Sequence, residues 1–359
     1  MRTVYIVLGC DVDPDRERFL DGVTPQRLTW RGATEGIPAV KNLVRGMTDS
    51  SGREPIITWF FRADEQTQQM CGSYAWFVKT HQSLLESLQR SGDELAWHPH
   101  FWRREGAAGP WVQELEDVEW QVGMLRAAHR ELTTCEPGPP RSVRMGWGYH
   151  NNRTVSILDD LGIVADLSST PGFRTLTGNP PTTRDNLFDW HSTPERPYHP
   201  SRADYRRPAR SDERSHRLLE VPSFVSRSLV WGLVRGLQLA RKTATGAQLW
   251  DAVRRPTYYI NFPGLPRLFA PLVSQLGRAV RGSTTAPLVV ALHSHADEFV
   301  PNRSRLYSLE SVRTNLAALL RVCRDAQTPV EFVQAGRVPA LWPDQAVPKR
   351  QDPTQRRRS

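Results

Sequence analysis

Nowhere do these 359 residues stay apolar for the roughly 18 positions that a membrane-spanning helix requires, and the mean hydropathy is −0.51. A spanning protein is excluded. Cysteine is scarce: four residues, at positions 10, 71, 135 and 323, with no paired short spacing. That scatter fits neither a zinc knuckle nor a disulfide framework and predicts small, mostly buried side chains. Internal repeats, a GxGxxG turn and a Walker A loop are all absent, so nothing marks a nucleotide site. No leader is evident either, because the first apolar run, residues 4–10, meets Asp11 and Asp13, as a buried strand would. The expected compartment is the cytoplasm.

What is present is ordinary for a folded chain: 39% hydrophobic and 24% charged residues. The net charge of +9 shrinks once it is located. The last twelve residues contribute +4 of it, leaving +5 for the remaining 347. With no basic motif in the body, no nucleic-acid partner is expected.

Along the chain, short apolar runs alternate with longer helical patterns, the rhythm of parallel strands joined by crossover helices. Strands are predicted at residues 4–8, 56–61, 95–102, 142–145, 163–167, 218–221, 287–292 and 330–333. Helices are predicted at 37–47, 74–89, 112–132, 154–161, 229–241, 265–280 and 306–324. Eight strands of this kind predict an α/β fold, a (β/α) barrel that is incomplete and seven- or eight-stranded, with an open doubly wound sheet as the alternative. One domain is expected over residues 1–343, with a loop-rich insertion at 170–216 over the barrel mouth and a basic tail at 344–359. The helical patterns at 229–241 and 265–280 also admit a weak contact with an anionic membrane surface, although barrel helices explain them more simply.

In either parallel architecture the chemistry lies at the carboxyl ends of the strands. Three of those ends carry polar pairs spaced by two: Asp11 and Asp13, His98 and His100, His293 and His295. Residues i and i+2 of an extended segment share a face, about 6 to 7 Å apart. Four of ten histidines used this way point to a divalent metal, zinc first, with cobalt, nickel or iron(II) as alternatives. Asp13, His98 and His100 are the expected ligands.

The segments VLGCDVDPD, ELAWHPHFW, VRMGWGYHNNRTVSILDDLGIVADLSS and VVALHSH, in that order, resemble the successive motifs of the polysaccharide deacetylase (NodB-homology) superfamily over residues 4 to 335. The resemblance implies a metal-dependent hydrolase that removes an acyl group, N-acetyl above all, from an amino sugar or glycan precursor. It makes Asp11 the general base, Asp13, His98 and His100 the metal ligands, Arg144 the residue that orients the base, and His293 the general acid, with His295 as its alternate. Asp189 and Trp190 match the family's Asp-Trp pair. Arg62, Trp147 and Tyr198 join those two as candidate substrate contacts. This sequence departs from the pattern in separating its two acids by Val12, in shortening the histidine step to two, and in placing Met145 and Gly146 where a proline usually follows the arginine. Hydrolysis of another carbon–nitrogen bond and a catalytically silent carbohydrate-binding role are the alternatives.

Overall fold

The computed structural model describes residues 2–15, 28–104, 106, 109–136, 138–175, 188–227, 230, 257–282, 286–301 and 304–342. Eight strands form its main sheet: β1 (Val4–Val12), β2 (Ile57–Arg62), β3 (Glu94–His98), β4 (Ser142–Val143), β5 (Ala165–Asp166), β6 (Leu219–Glu220), β7 (Leu288–His295) and β8 (Val330–Phe332). Every pairing in it is parallel. Strands β1 to β6 lie side by side in chain order, and β7 returns to the free edge of β1. A single parallel bridge, Ser223 to Ala291, joins the chain just past β6 to β7. Strand β8 pairs with the first half of β1, whose second half pairs with β2. The incomplete barrel is therefore what forms, and the doubly wound alternative is set aside because the two sheet ends meet.

Alternation along the strands separates two cores. On β1, Val4, Ile6, Leu8, Cys10 and Val12 join the larger cluster, packed with residues of the surrounding helices, while Val7 belongs to a second cluster. That inner cluster takes Phe60 from β2, Ala96 from β3, Ala165 from β5, Leu219 from β6, and Val289 and Ala291 from β7. Trp342 and Val338 belong to it as well. Because side chains alternate with a period of two, inward positions continue upward as Asp11, Arg62, His98, Arg144, His293 and His295. The strand ends thus carry a polar layer above an apolar barrel filling.

Helices α1 (Ile37–Val44), α2 (Glu65–Cys71), α3 (Trp76–Thr80), α4 (Gln82–Arg90), α5 (Val118–Thr133), α6 (Asn152–Asp160), α7 (Pro266–Val280) and α8 (Leu309–Asp325) complete the architecture. Several boundaries differ from the sequence expectation. The single helix expected at 74–89 is two, broken at His81, whose ring stacks on Phe77 at 4.3 Å. The strand expected to run through 102 ends at His98, and Trp102–Arg104 instead pairs antiparallel with Trp111–Gln113. That hairpin takes up the first residues expected in the long helix, which begins at Val118 behind its Asp117 cap. Helix α2 had no predicted counterpart, although Asp64 caps it by accepting from Thr67 N at 3.0 Å. The helix expected at 229–241, apart from Val230, lies outside the described residues, as do residues 176–187 of the insertion and the tail. All four cysteines are free, Cys10 and Cys323 buried.

Two buried details hold the frame. Gly36 leads into α1 where a Cβ would lie 2.4 Å from the Ala296 carbonyl oxygen, so only glycine lets this segment approach the turn after β7. Asp93, in the loop entering β3, accepts from Ile57 N at 3.0 Å, Trp59 Nε1 at 2.9 Å and Lys41 Nζ at 2.8 Å. Asp93→Ala strands those donors and should cost about 3 kcal/mol, measurable by chemical denaturation.

Candidate active site

The six inward residues meet at the carboxyl end of the barrel. Registry does much of this work: Asp11 is the partner of His295 and Gly9 of His293 across β1 and β7, and Arg62 is the partner of His98 across β2 and β3. Asp11 is buried and central. Its Oδ2 lies 3.2 Å from Arg144 Nε, 3.2 Å from His293 Nε2, 3.5 Å from His98 Nε2 and 3.8 Å from His295 Nδ1. One position past the strand, Asp13 Oδ2 is 3.5 Å from His98 Nε2 and 3.8 Å from His295 Nδ1. Its Oδ1 is 3.8 Å from His100 Nε2.

The two arginines divide the acids between them. Arg144 donates from Nε to Asp11 and from Nη1 to the Leu167 carbonyl at 2.7 Å, which fixes its plane. Arg62 is buried and donates to Asp13 at 2.9 Å, to Gln66 at 2.8 Å and to Asp64, so these donors position site acids within the protein. Asp64 in turn accepts from His100 N at 3.0 Å.

Burial alone would raise both site carboxyls. For Asp11 it is outweighed by His293, His98 and Arg144, and for Asp13 by His98, Arg62 and His100, so both are held well below the usual carboxylate range. Burial, then Arg144, pushes His293 down to about 4 despite the pull of Asp11. Burial and Arg62 likewise lower His100, whereas at His98 the two acids overcome burial and raise it.

Among the described residues, three atoms at this mouth are buried without a hydrogen-bond partner: Asp11 Oδ1, His293 Nδ1 and His295 Nδ1. Two groups, Asp13 with His98 and His100, and Asp11 with His293 and His295, each bring ligand atoms within 4.8 Å of one another. Orphaned lone pairs among carboxylates and imidazoles fit a divalent cation. His98 also has the outer support such a ligand needs, since its Nδ1 lies 2.6 Å from the Arg144 carbonyl.

The remaining predicted contacts divide. Trp147 is 45% exposed, its ring edge-on to His100 at 6.4 Å, and it adopts φ of 57°, a conformation rare for a non-glycine residue. Trp190 is buried and donates from Nε1 to the Gly148 carbonyl at 2.7 Å, bracing the same turn. Asp189 is engaged by Arg206 at 2.7 Å and by His191 at 2.5 Å, and the buried Tyr198 donates its hydroxyl to the Tyr205 carbonyl at 3.0 Å. These last two therefore brace the insertion. A cavity of about 660 Å³ lies beside the insertion, lined by residues such as Pro171, His191, Glu195 and Arg196, and none of the six inward polar residues lines it.

No family model matches the sequence, and no curated protein does. Solved structures do match. One, described as a glycoside hydrolase/deacetylase from Parabacteroides distasonis, is 13% identical, with 95% of this chain and 71% of that one covered and a TM-score of 0.51. The chain shares that fold. Looser likenesses are a polysaccharide deacetylase from Mycobacterium smegmatis (15% identity, 94% and 90% covered, TM-score 0.49) and a family 4 carbohydrate esterase from Streptomyces lividans (10%, 92% and 93%, 0.34).

Within this fold, several residues near the mouth escaped the sequence reading. Glu298 accepts from His295 N at 3.2 Å and from Asn261 Nδ2 at 2.7 Å, fixing the end of β7. Tyr259 buries a hydroxyl that has no partner among the described residues. Beneath the 146–148 turn, His150 Nε2 lies 2.7 Å from Asp166 and 3.2 Å from Ser168 Oγ, which accepts from Met145 N. Both contacts fall on one ring nitrogen, so this is a brace and not a nucleophilic relay. Glu220, which accepts from Ser169 N at 2.9 Å, is pushed well above the usual range by burial and then by Asp166. With the folded value raised, the stability it confers is present below the unfolded carboxylate pKa and is lost as pH climbs toward the folded value. Glu220→Gln keeps the acceptor and should flatten that decline, which thermal melts between about pH 5 and about pH 9 will read.

Proposed function

We propose that this protein is a divalent-cation-dependent hydrolase that removes an acyl group, N-acetyl above all, from an amino sugar or glycan precursor. The observation that carries the reading is the convergence of Asp11, Asp13, His98, His293 and His295 at the barrel mouth, with Oδ2 of each acid within 3.8 Å of both His98 and His295. The names of the structural neighbours and the order of the sequence motifs support the same substrate class.

Asp13 and His98 would hold the cation, with a further histidine completing three protein ligands. When bound, such a cation polarises an acyl carbonyl and lowers the pKa of water from about 15.7 toward 7. Asp11, ionised and aimed by Arg144, takes the proton of the attacking water, and its unpartnered Oδ1 has lone pairs for it. His293 is neutral in the resting site, so the proton it gives to the departing amine is one acquired during the reaction. Its 3.2 Å contact with Asp11 is the short route for that proton. The exposed ring of Trp147 offers a flat surface to the apolar face of a sugar.

The test is to incubate the zinc- or cobalt-loaded protein with a panel of N-acetylated sugars, lipid-linked and free, and follow acetate release and the mass of each sugar. Acetate with the matching loss of one acetyl group supports the reading. A loaded protein that leaves every member intact while cleaving a cyclic amide would replace the substrate class and keep the apparatus.

A further inference from the structure

The two histidines after β3 are polarised in opposite senses by their neighbours. Trp102 Nε1 donates to His100 Nδ1 at 3.1 Å, and an indole nitrogen is only ever a donor. Nδ1 of His100 therefore accepts, and the neutral ring carries its one proton on Nε2. His98 is set the other way: its Nδ1 faces the Arg144 carbonyl at 2.6 Å, which only accepts, so Nδ1 holds the proton and Nε2 keeps its lone pair. The two Nε2 atoms are 3.0 Å apart, the length of one N–H···N bond running from His100 to His98.

A ligating imidazole presents a bare nitrogen to the cation and gives its other N–H to a carbonyl, carboxylate or water. His98 meets that requirement. His100 inverts it, since Nε2 is bare only if the ring loses both protons. Room for this arrangement depends on Gly146, where a Cβ would lie 2.1 Å from His100 Cγ. Across the mouth stands a second candidate ring, whose Nε2 lies 3.4 Å from His293 Nε2. His295 Nδ1 is buried, has no hydrogen-bond partner among the described residues and lies 3.8 Å from Oδ2 of both Asp11 and Asp13. Those are the two oxygens that sit 3.5 Å from His98 Nε2. Ligands on bonds of 2.0 to 2.2 Å lie about 3.4 Å apart around a tetrahedral ion, and the separations of Asp13 Oδ2 from the two imidazoles, 3.5 and 3.8 Å, exceed that by no more than a few tenths of an ångström.

We infer that the cation of the proposed hydrolase is held by Asp13, His98 and His295, and that His100 is kept off it as an N–H donor whose tautomer Trp102 sets. The inference rests on the proposed metal dependence and departs from the ligand set that the sequence motifs imply. In it, His100 Nε2 turns its proton to Asp13 Oδ1, 3.8 Å away, once His98 is engaged. Trp102 is then a positioning residue, acting through His100.

The test measures cation binding. Metal-free full-length protein is titrated with Zn²⁺ against a chromophoric chelator, and with Co²⁺ while the visible absorption is recorded. The comparison includes His98→Ala, His295→Ala, His100→Ala and Trp102→Phe, each checked for folding by circular dichroism, with Gln variants in place of any Ala variant that fails to fold. His98→Ala and His295→Ala are expected to weaken binding by at least about 100-fold. His100→Ala and Trp102→Phe are expected to weaken it less than either of those does, within the roughly 10- to 100-fold of outer-shell changes, and to leave the cobalt bands in place. Loss of the cation in His100→Ala as complete as in His98→Ala, with His295→Ala still binding, overturns the inference and restores the pair spaced by two. A wild type that binds neither ion removes the metal dependence itself, which is a different failure and visible before any variant is compared.

Discussion

Asp11→Asn is expected to yield a folded protein whose deacylation rate falls by at least about a thousandfold, the upper range for loss of a positioned general base. The substitution keeps the shape of the side chain and an oxygen for Arg144 Nε, which now lies 3.2 Å away, so packing is preserved. What disappears is the charge and the capacity to take a proton from water. Because the carboxyl is already held below the usual range, its protonated form is transient, and the 3.2 Å contact with His293 Nε2 relays the proton onward. The fall should appear in kcat with KM little changed, since Asp11 contributes to the transition state more than to sugar binding. Steady-state kinetics alongside circular dichroism decides it. A variant within about tenfold of wild type would remove Asp11 from the role of base.

Asp13→Ala should have an effect of similar size by another route. Both oxygens of Asp13 face imidazole nitrogens at 3.5 to 3.8 Å, so its loss takes away the one carboxylate proposed to grip the cation. Arg62 keeps Asp64 and Gln66 as partners, so the guanidinium is not stranded. Metal analysis should find the variant empty where the wild type is loaded. Dialysis against a chelator should bring the wild type to the same low activity, and added zinc or cobalt should restore the wild type alone. Equal metal content in the two proteins would remove Asp13 from the ligand set.

Much of this could be read from the chain because two periodicities carried it. Strand alternation places Asp11 with Asp13, His98 with His100 and His293 with His295 on shared faces, and the barrel turns those faces to one point. Arg144 was different: no local pattern distinguishes it from a surface arginine, and only the motif resemblance singled it out. Glu298, Asn261, Glu220 and His150 were missed for a physical reason. The partners of Glu220 and Asn261 stand 51 and 37 positions away, a pairing that no window of sequence encodes. Strand ends were also misplaced where neighbours extend them. Strand β1 continues to Val12 since β2 and β7 supply hydrogen-bonding edges that far, and β7 reaches His295 for the same reason. In the insertion, Asp189 and Tyr198 are held by Arg206 and the Tyr205 carbonyl, contacts that form only after the loop has folded.

The barrel's closure bears on how the proposed substrate would reach this mouth. Strand β7 is fastened unequally, by eight consecutive registered pairs to β1 on one flank and, among the described residues, by the Ser223–Ala291 bridge and a hydrogen bond from Phe262 N to the His293 carbonyl on the other. Any spreading of the rim would meet least backbone pairing on that flank. Asp11, His293 and His295 all lie on the firmly joined side, so such a spread would leave the spacing between the proposed proton acceptor and proton donor unaltered, like two rivets in one plank.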